Sequence, residues 1–415
     1  MNVFHCGQCD HLVFFESTEC LHCGHSLAYL PDVGAIAALE HDQSGLWRAV
    51  GVEGSEGGYR LCTHYSDTGV CTWAVAESDP HALCISCRLT RVIPDLNVPE
   101  QRARWHLLEL AKRRLVYTLV GLRLPLTSRD DDPVDGVAFD FLADAWTGSE
   151  PVLTGHADGV ITVNIAEADE AERARQKTRL HEPYRTLLGH LRHESGHYYW
   201  DRLIARSDRL QLFRDAFGDE RQDYAESIRR HYEGPVSTGW SQAFVSQYAG
   251  AHPWEDWAET WAHYLHLTDT LQTAAACGLS IRPRRTHEPV LQEVPVHAGS
   301  VEASFDQLIE SWFPVTYILN NLNRGLGLPD GYPFVLTDVI IGKLRFVHDT
   351  IASATRFQRW GRKSQPSHTA RQIDQVKALA RSWSPYLLHA RSVCSTMPCT
   401  LSNQARSSSC VGANS

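Results

Sequence analysis

The sequence predicts an α+β protein: a small β-rich front end, then a part that pairs a short antiparallel sheet with a mainly helical C-terminal half. Three observations predict it. Eight of the twelve cysteines of this 415-residue chain fall within its first ninety residues. Short apolar runs at 136–143, 151–154 and 159–165, with turn residues between them, read as strands. Apolar residues at helical spacing then dominate 98–118, 187–200 and 253–267.

Composition excludes several classes. Apolar residues make up 43% and charged residues 21%, as in ordinary globular chains rather than disordered or fibrous ones. No run of eighteen apolar residues predicts a membrane span. The N-terminal residues, Met1 to Cys6, lack the basic and apolar segments of a secretory signal, which predicts a cytoplasmic protein. In a reducing compartment, clustered cysteines point to metal rather than disulfides.

Cys6-Gly-Gln-Cys9 and Cys20-Leu-His-Cys23 are two C-x-x-C pairs separated by a short stretch. Each pair sits on a tight turn that aims two thiolates at one point, and two such turns complete a tetrahedron of sulfur around Zn²⁺. The arrangement resembles a zinc ribbon, with Leu12 to Phe15 as the strand joining the knuckles. Cys62, Cys71, Cys84 and Cys87 form a second group in which only the last two have x-x spacing. They predict a second structural zinc, with His64 and His81 as substitutes for a cysteine. Zinc ribbons often bind nucleic acid. Residues 1–97 carry four arginines against twelve acids, a balance of −8, and a phosphate backbone is repelled by that field. A platform, a protein-binding module or a lid fits better.

A helix is expected from Pro99, since proline suits the first helical turn. Gly155 to Asp158 reads as a hairpin turn between two strands. The helix that follows holds His193-Glu194-Ser195-Gly196-His197. H-E-x-x-H sets His193 and His197 one turn apart on one face, where both imidazoles reach one metal, and Glu194 beside them suits a general base toward a metal-activated water. A catalytic zinc needs a third protein ligand and an open position. The source is His252 to Leu267, where Pro253 opens a helix and Trp254, Trp257, Trp261 and Leu265 form an apolar stripe. Glu255 and Glu259 lie one turn apart on another face, and a carboxylate buried there needs a cation. Either glutamate could be the ligand. His263 and His266 continue the helix and are read as packing residues outside the metal shell.

In zincins of the thermolysin-like clan, the ligand glutamate is followed four residues later by an acid that orients a zinc-bound histidine. That resemblance implies Glu255 as ligand and Glu259 as its supporting partner. The spacing from Tyr248 to Glu255 is similar to one in anthrax lethal factor, which implies Tyr248 as the residue that stabilises the oxyanion. The whole pattern resembles a bacterial family of zinc-binding metallopeptidases with an N-terminal zinc-ribbon domain. It spans roughly residues 1–350: the Cys6–Cys23 ribbon, the Cys84 to Asp95 stretch, the H-E-S-G-H helix and the His252 to His263 segment. The resemblance implies a ribbon region (1–97), a zincin-like catalytic domain (98–351), one catalytic and one or two structural Zn²⁺, and a peptide or protein substrate.

Helices are expected at 302–322 and 335–351, and Cys277, among alanines and leucines, is expected in the core. Residues 352–415 hold nine basic residues and one acid and end in a serine-rich stretch, read as a partly disordered basic tail. The leading function is a zinc-dependent peptidase with Glu194 as general base. The alternative is a non-catalytic regulatory protein that uses the ribbons to bind a partner.

Overall fold

The computed structural model of the protein describes residues 1–55, 57–144, 152–180, 186–234, 238–282, 294–300 and 302–358, all within one compact unit. The expectation for the basic tail lies outside the described residues from 359 onward. It is a mixed fold, β-rich at the front and mostly helical after it. No described helix is long and apolar enough to cross a membrane.

The front end opens with a two-stranded ribbon, β1 (Phe4–His5) against β2 (Leu12–Val13). The expected strand to Phe15 is shorter: Phe14 is 74% exposed, while Phe15 turns inward. An antiparallel meander follows: β3 (Ser26–Leu30), β4 (Ala35–His41), β5 (Trp47–Val50), β6 (Gly58–Leu61), the short α1 (Thr63–Ser66) and β7 (Ala74–Ala76). Its alanine-rich β3 and β4 are buried on both faces, so no alternation marks them in sequence.

The front end and the helical part share one core. Phe15 packs edge-on to Tyr117 at 5.2 Å between ring centres, and Tyr29 packs on Trp73 at 4.8 Å. Tyr117 belongs to α2 (Pro99–Gly121). The chain leaves the last cysteine through a 3-10 turn, Cys87–Leu89, straight into β8 (Thr90–Val92). This strand pairs in parallel with β9 (Ala138–Leu142) of the second part. Beneath β8, Thr90 donates to Glu109 at 2.7 Å, and Lys112 lies 2.8 Å from the same carboxylate. These buried charges are tolerated because they are paired.

The second sheet departs from expectation. Its order is β10 (Gly155–Ala157), β11 (Val160–Asn164), β9, β8, and only β10 and β11 pair antiparallel. The chain goes to the outer edge before it doubles back, so β11 inserts parallel to β9. Apolar alternation is the same in both directions and could not reveal this. The hairpin turn is Asp158-Gly159, with φ of +50° and +74°, rather than Gly155 to Asp158. Two successive left-handed residues suit the tight turn that a twisted hairpin prefers.

Further helices follow α3 (Glu170–Leu180) and α4 (Leu187–Leu203) among the described residues. They are α5 (Leu210–Phe217), α6 (Tyr224–Glu233), α7 (Pro253–Ala276), α8 (Phe305–Gly325) and α9 (Asp338–Gln358). Ser304 and Gln307 form a capping box on α8, which starts it three residues later than expected. Helix α9 runs past residue 351 to Gln358. Cys277 is exposed, not in the core: it caps the end of α7, where the chain turns out to solvent.

Candidate metal centre

Helices α4 and α7 build the centre. Residues Leu191 to Tyr199 of α4 are all buried, which explains its weak amphipathicity. The helices approach closely at Gly196, where an added Cβ would lie 2.9 Å from the Ala258 backbone. Trp257 Nε1 donates to the Gly196 carbonyl at 2.8 Å, and Trp261 Nε1 to Ser195 Oγ at 3.1 Å. These contacts hold the α7 carboxylates opposite the α4 imidazoles. Gly196→Ala is therefore expected to destabilise the fold by about 1–3 kcal/mol through overpacking. A denaturant midpoint equal to wild type would contradict this reading.

Within this seam, His193 Nε2 lies 3.2 Å from His197 Nε2 and 3.0 Å from Glu255 Oε2, which is 3.5 Å from His197 Nε2. All three side chains are buried, and their ligand-type atoms lie within 4.8 Å of one another. Among the described residues Glu255 Oε2 has no hydrogen-bond partner despite its burial. Two imidazoles and one carboxylate converging on a point are a donor set for zinc. The rest of the hydrogen bonding leaves those atoms available. Tyr224 OH bonds the other Glu255 oxygen at 2.5 Å. Glu259 Oε1 lies 2.6 Å from His193 Nδ1, and Ser246 Oγ donates to Glu259 Oε2 at 2.7 Å. A proton held on Nδ1 leaves the Nε2 lone pair free for a metal. Burial works against a proton on His193, but the neighbouring carboxylates of Glu255 and Glu259 outweigh it and raise its proton affinity well above the ordinary value. Burial likewise opposes ionisation of Glu259, yet His193 brings its carboxyl down to about 2. The pocket favours positive charge.

Glu194 projects from the same turn. Its Oε1 lies 3.1 Å from His190 Nε2, while its Oε2 is buried without a hydrogen-bond partner among the described residues. His190 Nδ1 in turn lies 2.6 Å from Glu167, which takes a hydrogen bond from Thr154. Burial would raise the Glu194 carboxyl, but His190, His193 and His197 bring it below its usual range. Tyr248 opens a short 3-10 turn and is half-buried, its ring 5.9 Å from that of His193. His263 and His266 stand apart from the three converging residues: His263 bonds Tyr332 at 2.8 Å, and His266 packs on Trp312 and Tyr332.

Both cysteine groups form compact sets in the front end. Cys6 and Cys23 sulfurs are 3.7 Å apart, Cys9 and Cys20 3.6 Å, and Cys71 and Cys84 3.7 Å. A tetrahedron with Zn–S of about 2.3 Å has edges of roughly 3.8 Å, so these sulfurs fit zinc. None of the eight is in a disulfide. Cys62 joins the second set with all four thiols buried. His64 instead packs on Trp105, and His81 on Asp79 and Arg88.

A family described as "Putative zinc-binding metallo-peptidase" matches residues 101–350. The chain belongs to this family. A zinc-ribbon domain family matches residues 3–98 of this family member, a span that contains both cysteine sets. It is 40% identical over 352 residues to uncharacterized proteins of Mycobacterium bovis and Mycobacterium tuberculosis, covering 85% of this chain and 95% of theirs. No solved structure matches the chain.

Sequence reasoning missed Tyr224, Ser246, Glu167 and the contact role of His190. Tyr224 lies thirty-one residues before the glutamate it touches, and Glu167 twenty-three before His190. No local pattern links either pair. His190, at i−4 from Glu194, was open to discovery by helical spacing alone.

Proposed function

We propose that this protein is a zinc-dependent peptidase, with His193, His197 and Glu255 as metal ligands and Glu194 as general base. The observation that carries the reading is the meeting of three buried ligand-type atoms beside a Glu194 oxygen that lacks a hydrogen-bond partner among the described residues. Bound at this point, Zn²⁺ supplies the Lewis acidity that makes water a nucleophile near neutral pH. Glu194 Oε2 takes the proton from the attacking water and later delivers it to the leaving amine. His190 holds Oε1, so the carboxylate presents its other oxygen. Glu259 keeps His193 in the tautomer that ligates through Nε2, and Tyr224 leaves Glu255 Oε2 free. Tyr248 donates its hydroxyl to the substrate carbonyl oxygen as charge develops there.

The cysteine sets are structural zinc sites in this reading, and the thiols suit a reducing cytoplasm. The acidic front end disfavours nucleic acid as a partner. Zinc content of the full-length protein and of a His193→Ala/His197→Ala variant tests the assignment. About three zincs falling to about two, with chelator-sensitive cleavage of a peptide library by wild type alone, is the expected result. Equal zinc content in both proteins would remove the basis for catalysis at this point.

A further inference from the structure

His156 stands beside the three converging ligand-type atoms without being one of them. It is the middle residue of β10, the outer strand of the second sheet. Its ring lies within 17° of parallel to that of His197, with centres 6.4 Å apart. The ring of Trp254, in the first turn of α7, is also 6.4 Å away. Burial and His197 oppose a positive charge on His156, while the Glu194 carboxylate favours one. Burial is the largest of these effects, so the ring is neutral near neutral pH and carries a single proton.

A backbone group decides which nitrogen holds that proton. The N–H of Gly159 donates to His156 Nε2 at 3.1 Å, so Nε2 is the acceptor and the proton sits on Nδ1. Neither nitrogen is then free to ligate a metal. The turn that makes this bond is firmly held. Gly159 is left-handed, an added Cβ there would lie 2.7 Å from the Gly136 carbonyl oxygen, and Arg129 donates to the Asp158 carbonyl. Nδ1 itself is buried and has no hydrogen-bond partner among the described residues, although the residue as a whole is half-buried. A buried donor left unmade is costly, and most such groups have a partner. A ligand that brings the missing acceptor is favoured, and one that lacks it is rejected. The Glu194 carboxylate acts against an anionic acceptor, which leaves a neutral carbonyl oxygen. A peptide carries one at every residue.

We propose that His156 is a substrate-binding residue whose Nδ1–H donates to a backbone carbonyl oxygen of the peptide held at the metal centre. The inference rests on the peptidase reading of that site and adds a contact from the sheet to those supplied by α4 and α7. The contact is made to the main chain, so it holds the peptide in place without selecting among side chains.

The test compares full-length, zinc-loaded wild type with His156→Phe and His156→Asn variants. Phenylalanine keeps a ring but no N–H, whereas the asparagine amide nitrogen takes the place of Nδ1. Both lose the bond from Gly159, so that loss does not separate them. The probe is a non-cleavable phosphinic peptide built on the best substrate from a peptide library. His156→Phe is expected to bind it about tenfold more weakly and to raise KM by a similar factor, with zinc content unchanged. His156→Asn is expected to recover most of that affinity. Wild-type affinity and KM in His156→Phe would overturn the contact while leaving the peptidase reading intact. Equal weakening in both variants would also overturn it, because packing rather than the N–H would then be responsible. A wild type that neither binds the probe nor cleaves any peptide would remove the peptidase reading, and this inference with it. Nitrogen-15 imidazole spectra of the peptide-free protein give a readout independent of activity. The signal lost in His156→Phe is expected to be that of an Nδ1–H tautomer, and an Nε2–H tautomer would refute the assignment of the donor.

Discussion

Replacing Glu194 with Gln is expected to leave the zinc content at wild-type level and to lower peptide hydrolysis by about a thousandfold. General-base catalysis contributes roughly 10²–10⁴ to rate, and an amide cannot take a proton from water. The substitution preserves shape. The glutamine carbonyl oxygen can still face His190, so the buried chain through Glu167 to Thr154 persists. Loss of activity would therefore not follow from a collapsed seam. Zinc content by mass spectrometry and cleavage rate on the same preparation separate the two effects. A variant that keeps its zinc and cleaves at the wild-type rate would dismiss Glu194 as the base. The competing reading, a scaffold that binds a partner through its ribbons, expects no cleavage from either protein.

The second large effect concerns stability. A Cys84→Ser/Cys87→Ser variant is expected to lose one zinc and to unfold the helical part along with the front end. All four thiols of that set are buried, and Cys87 runs directly into β8, which is an edge of the second sheet. Structural zinc contributes on the order of 10–16 kcal/mol, as much as or more than the whole net stability of a typical domain. Without it, β8 loses its anchor, and the paired charges of Glu109 and Lys112 lose the Thr90 contact that completes them. Hydrogen exchange read by mass spectrometry on peptides from residues 1–97 and from α4 and α7 would report the two parts separately. Wild-type protection of α4 and α7 in a variant whose front end exchanges freely would show that the parts fold independently.

Much of the candidate site was legible because helical spacing is local. His193 and His197 share a face through one turn of α4, and Glu255 and Glu259 through one turn of α7. Which carboxylate meets which nitrogen was open from spacing alone. It depends on how α4 and α7 cross, and that crossing depends on Gly196 meeting Ala258. The cysteine sets were legible for the same reason: short spacings confine thiols to one turn. The antiparallel pairing of β6 and β7 sets Cys62 and Cys71 at one end of a hairpin, and the Thr63 N to Ala82 carbonyl bond brings the Cys84 to Cys87 turn back to them.

By itself the sequence determined the elements: helices where apolar residues recur at helical spacing, knuckles where cysteines pair, and a helix that sets two histidines on one face where H-E-x-x-H falls in an apolar frame. Tertiary structure alone decided the direction of β11 beside β9, the addition of β8 at the edge of the second sheet, and the partners supplied by Tyr224, Ser246 and Glu167. The physical reason is one of range. Dihedral preference and side-chain period act over a few residues, whereas a buried polar atom takes whichever partner packing brings within about 3 Å, however distant in the chain.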